Sequence, residues 1–185
     1  MLKKIFLFSI YLFGLIYLLT PAKPLPFLDN AVLSNEPGDT WQHPDQRGFY
    51  TNLNRYQVLK EIQNKFQITV LGIGIPSFRL NYRPEEAHEL VRDQLKSYYL
   101  EEIVYPLHSS VFVNGWEPKK SPSNLNKLPK EISDISIYGV PYEAKITLKP
   151  LNSHPTSRIL IWTTMFPLFY LVQNSLKKSL NHGKK

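Results

Sequence analysis

Two uncharged apolar runs stand near opposite ends of this chain, at residues 5–20 and 159–172, and any fold must place both of them. The first follows Lys3 and Lys4. A helix of that length covers roughly 24–27 Å, a little short of a ~30 Å hydrocarbon core, which suits a signal peptide or a short signal anchor over 1–20. Thr20 and Ala22 offer small residues for cleavage before Lys23, but Pro21 and Pro24 crowd that position. Retention as an anchor is therefore favoured over cleavage, and a buried core helix is disfavoured because an all-round apolar helix at the N-terminus would need a large core to hide in. The second run is interrupted by Pro167 and continues through Gln173 to Leu176. Its length alone also fits a buried or interfacial helix. Its flanks favour a span: Arg158 precedes it, and Lys177, Lys178, Lys184 and Lys185 follow it. A basic tail just past an apolar helix is the cytoplasmic signature. Residues 158–185 are therefore predicted to be a second transmembrane helix with a basic cytoplasmic tail.

Charge distribution sharpens this reading. The chain carries a formal +7, yet between residues 21 and 157 fifteen Lys and Arg face fifteen Asp and Glu. All excess positive charge lies beside the two apolar runs. Nucleic-acid binding requires a basic face on the folded body, so a nucleic-acid partner is not expected. With 185 residues and no cysteine, the chain is one domain plus terminal segments, without a disulfide scaffold or a thiolate metal site. Twenty-one Tyr and Phe side chains argue for a folded centre.

Residues 21–50 are rich in Pro, Asn and Asp and read as a tether with turns. Residues 51–157 read as the exported domain. A helix is predicted over 51–66, capped by Thr51 or Asn52, with Leu53, Tyr56, Leu59, Ile62 and Phe66 on one face. Residues 66–71 alternate like a strand that ends at Gly72 and Gly74, and 78–82 is a second short extended piece. A long helix is predicted over 84–105. Pro84 suits its first position and Glu85 and Glu86 its first turn, while Ala87, Leu90, Val91, Leu95, Tyr98, Tyr99 and Ile103 form an apolar stripe. Leu90, Val91, Leu95 and Ile146 are expected to be buried together. Residues 109–116 read as a strand with a turn at Asn114 and Gly115. Residues 135–148 alternate strictly and give two antiparallel strands or one bulged strand, broken at Gly139, Val140 and Pro141. The expected fold is α+β, a small and largely antiparallel sheet with two helices on one face, flanked by the two terminal membrane helices.

Catalytic signals are sparse. None of the five histidines has metal-ligand spacing, and no metal or other cofactor is expected. Ser109 and Ser110 follow His108, but neighbours in an extended segment point to opposite faces. The glycines at 72 and 74 carry neither a dinucleotide fingerprint nor a phosphate loop. Two segments are denser in interface residue types, 41–50 and 114–120, with Trp41, Arg47, Tyr50 and Trp116 as candidate partner contacts. Plugging the ends of a small core is the simpler role for the same two tryptophans. The expectation is a membrane-anchored, exported, non-enzymatic module that contacts another membrane or envelope protein. A membrane-bound hydrolase using His43, Asp45 or His108 is the alternative.

Overall fold

The computed structural model describes residues 2–91, 97–118 and 135–182. They form two compact units, one of 22–152 and one of the end segments 1–21 and 153–185.

The larger unit is built on a six-stranded sheet, antiparallel at every pairing, with β1 (Ala31–Leu33), β2 (Arg47–Thr51), β5 (Phe78–Tyr82), β6 (Tyr99–Tyr105), β7 (Ser109–Trp116) and β10 (Ala144–Asn152) in the order β1-β2-β10-β7-β6-β5. Two small hairpins accompany it: β3 (Thr69–Val70) with β4 (Ile73–Gly74), and β8 (Ile135–Ile137) with β9 (Val140–Tyr142). Each closes on two residues with positive φ, Leu71 and Gly72 in one and Tyr138 and Gly139 in the other. This is the turn whose twist matches a two-residue hairpin. The antiparallel pair over 135–142 therefore uses Val140 and Pro141, the expected break, in its second strand, while the alternating segment 144–152 pairs with β2 and β7 instead.

One sheet face is apolar. Phe49, Ile146, Leu148, Val111, Val113, Ile103 and Tyr105 lie on it by alternation and are all buried. Helix α2 (Arg55–Lys65) packs there, its Phe66 cap ring 6.0 Å from Tyr105. Asn54, not Thr51 or Asn52, starts this helix through a capping box with Gln57. Val58, Leu59 and Ile62 are its buried residues, whereas Tyr56 is exposed. Leu59, Ile62 and Phe66 of the expected stripe are thus buried, Val58 joins them, and Tyr56 leaves it.

The long helix predicted over 84–105 does not form as a whole. Pro84–Glu86 is a 3-10 turn, α3 (Ala87–Leu90) is one short helical turn, and Tyr99–Tyr105 is the strand β6. The 99–105 segment satisfies period 2 as well as period 3.6, and pairing with both β5 and β7 satisfies its backbone on two sides. Leu95 lies outside the described residues. The expected joint burial also divides: Val91 is buried with Ala87, Leu100 and Phe112, while Ile146 belongs to the opposite face. Helices therefore lie on both faces of the sheet rather than on one. Nor does a turn form at Asn114 and Gly115, since β7 runs through both. Gly115 is required there, because a Cβ would fall inside the Tyr99 ring. Residues 21–50 are more than a tether, for they supply β1, most of β2 and a 3-10 turn at Pro37–Asp39.

In the smaller unit, α1 (Leu2–Leu19) and α4 (Pro155–His182) pair antiparallel. Arg158 Nη1 donates to Leu18 O at 3.4 Å, Trp162 Nε1 donates to Tyr11 O at 3.1 Å, and Tyr11 stacks edge-on against Phe166 at 5.2 Å. Gly14 takes the Trp162 indole, which leaves no room for a side chain. Among the described residues, α4 is the one helix long and apolar enough to cross a membrane. The apolar part of α1, Lys4–Leu19, is shorter, so of the two expected transmembrane helices only the C-terminal one has the length to span.

Candidate interaction surface

The sheet face opposite α2 carries polar side chains in its interior. Alternation places Tyr50, Lys145, Thr147, Lys149, Ser110, Asn114, Trp116 and Glu102 there. Register aligns Tyr50, Lys145 and Trp116 in one row across β2, β10 and β7. Lys145 is only 7% exposed, and an ammonium so enclosed needs a partner. Its Nζ lies 2.8 Å from both Glu36 Oε2 and Asp39 Oδ2. The turn opened by Pro37 brings Asp39 over the sheet. Ser34 Oγ donates to the same Asp39 oxygen at 2.5 Å, and the Tyr50 hydroxyl donates to Glu36.

Electrostatics hold this cluster in one state. Burial raises the Glu36 pKa, but hydrogen bonds from Lys145 and Tyr50 outweigh it and keep the carboxyl below its ordinary value. Burial pushes the Tyr50 hydroxyl up, and its bond to Glu36 pushes it further. Both carboxylates within reach of the Lys145 ammonium are ion-paired to it. The cluster fastens the 34–39 segment to the sheet. Sequence reasoning passed over Lys145, Glu36 and Asp39. Lys145 stands on the polar side of a strictly alternating strand, where solvent is the ordinary expectation.

Two further carboxylates are buried in β6. Glu101 receives Arg55 Nε at 2.6 Å and faces Arg79 Nε at 3.0 Å. Glu102 receives the Tyr82 hydroxyl at 2.6 Å and also Ser110 Oγ. The bond to Glu102 raises the Tyr82 pKa to about 12. Glu101 lies off the apolar stripe of the helix predicted over 84–105, where solvent would be its surroundings, and the strand buries it instead.

The named candidates separate. Trp41 is 73% exposed, and Trp116 is half-buried at the end of the Tyr50 row. Arg47 lies on the other face, donating from Nη1 to Leu25 O at 2.8 Å with its guanidinium 4.3 Å above the Phe27 ring. Tyr50 is buried in the Lys145 cluster. Arg47 and Tyr50 are thus engaged within the fold, Trp116 is partly covered, and Trp41 presents surface.

His43 and Asp45 lie in the loop before β2, His43 half-buried and Asp45 exposed. His108 is fully enclosed in the β6–β7 turn, its Nδ1 2.8 Å from Ser109 Oγ. The sequence expectation that residues 108 and 109 diverge fails because Leu107 has positive φ and His108 belongs to the turn rather than to the strand. Ser109 is itself buried, and Ser110 is bonded to Glu102 on the opposite face. Among the described residues, no three His, Asp or Glu side chains stand close enough together to hold a metal ion. The chain matches no protein-family model, no curated protein and no solved structure.

Proposed function

We propose that the chain is a membrane-anchored protein whose 22–152 body is exported and contacts another membrane or envelope protein, without chemistry of its own. Topology in this proposal rests chiefly on charge: the excess cations flank the apolar helices, and the intervening region is formally neutral. The antiparallel α1–α4 pair supports termini on one side, the cytoplasmic one. A reporter active only outside the cytosol is expected to work when fused after Lys130 and to stay silent after Lys185. Activity at both positions overturns the second crossing, and silence at both overturns export.

The contact reading rests on Trp41, a large aromatic side chain left 73% exposed on the loop before β2. Trp116 shares that supporting role. Tryptophan is a frequent interface anchor because it buries much area and still donates a hydrogen bond. In pull-downs from detergent-solubilised membranes, Trp41→Ala or Trp116→Ala should weaken the complex by about 30- to 1000-fold, the range of a hot-spot truncation. His43→Ala, Asp45→Ala and His108→Ala, once shown to be folded, should retain it. The reverse pattern, with partners kept by both tryptophan variants and a cellular phenotype lost with the His or Asp changes, would replace binding by the hydrolase alternative.

A further inference from the structure

We propose that the groove between α1 and α4 holds an anionic phospholipid, with its acyl chain against the helices and its phosphate at Lys177. The proposal rests on the membrane reading above. Phe6 and Leu7 of α1 and Phe166, Phe169, Tyr170, Leu176 and Leu180 of α4 line a groove of about 680 Å³, and Gln173 and Lys177 are its polar lining residues. Antiparallel pairing places Lys4 at the same end as Lys177 and Lys178. Neither 1–21 nor 153–185 contains a single Asp or Glu, while together they carry seven Lys and Arg. The charge complementary to this end of the pair is therefore absent from its own unit. A lipid phosphate supplies it while the acyl chain covers the aromatic lining, and basic pockets between membrane helices on the cytoplasmic side are suited to anionic headgroups. Gln173, one helical turn before Lys177 in the same lining, offers an amide donor to a phosphate or ester oxygen.

The test is native mass spectrometry of the full chain in detergent, titrated with phosphatidylglycerol and separately with phosphatidylcholine. Phosphatidylglycerol should be retained at least about fivefold more strongly, the factor that one lysine near a membrane surface contributes. Lys177→Gln should remove that preference. Leu7→Trp, which fills the groove and leaves every charge in place, should lower retention of both lipids, with helix content checked by circular dichroism. Equal retention of the two lipids, or indifference to both substitutions, overturns the proposal. Carbonate extraction separates the two readings. A chain released by carbonate refutes membrane integration itself, whereas a chain that stays integral without lipid preference refutes only the lipid site. A Gln173→Cys variant that oxidises to a dimer in the membrane would place a second copy in the groove and also overturn it.

Discussion

Lys145 and Glu101 are buried charges neutralised from distant parts of the chain. Lys145 is bound by Glu36, 109 positions away, and Glu101 by Arg55, 46 positions away. Removing one member of such a pair strands the other in a medium where an uncompensated charge costs about 3–5 kcal/mol. Lys145→Met should therefore destabilise the fold on that scale in denaturant titrations, because it leaves Asp39 buried beside Ser34. Glu36 is different, since its side chain is 54% exposed and solvent screens much of its pairing. Its pKa is lowered on folding, so its contribution is present above the ordinary glutamate value of about 4.3 and is lost as the pH falls through the lower folded value. Acid unfolding of Glu36→Gln in detergent should accordingly show a shallower loss of stability below that pH than the wild type. An unchanged acid limb would remove Glu36 from the linkage. Formal neutrality of the centre was visible in the sequence. The pairing was not, because nothing local marks which lysine meets which acid.

Strand β6 shows where periodicity misleads at the scale of an element. Its sequence fits a helical stripe continued from α3 and fits alternation equally well, and neighbours on both edges decide between them. Tyr99 is the tightest point, buried over Gly115, with burial pushing its hydroxyl well up and the Arg55 guanidinium 5.0 Å from the ring. Gly115→Ala should cost about 1–3 kcal/mol of stability, the usual penalty of overpacking. Adding Tyr99→Val should return part of it, so that the double variant is more stable than the sum of the singles in thermal melts. Additive losses would mean that the ring and the glycine do not meet. Several elements came through: α2 from apolar spacing, β5 and β7 as extended segments, and β10 from strict alternation. Asn114 and Gly115 failed as a turn because the dipeptide has that meaning only where two strands must reverse, and here one strand continues.

For the whole molecule, the pairing of α1 with α4 is the arrangement that a membrane reading most depends on. Gly14 beneath Trp162 fixes its register. Cysteines introduced at Tyr11 and Thr163, whose hydroxyls lie 3.3 Å apart across the pair, should be joined by a short bifunctional thiol reagent in membranes, and Gly14→Leu should reduce that yield several-fold by pushing the indole out. Cross-linking unaffected by Gly14→Leu would show that another contact sets the register. The sequence by itself determined the two apolar ends, the separation of excess charge from the neutral centre, and the antiparallel α+β class, because each depends on composition or short-range period alone. Tertiary structure decided the rest. It drew residues 31–33 and 47–50 into the sheet, turned 99–105 from helix to strand, set helical turns on both faces, and buried Lys145 and Glu101. Each of these outcomes depends on partners far away in the chain, whose backbone hydrogen bonds and counter-charges outweigh local preference once they are brought alongside.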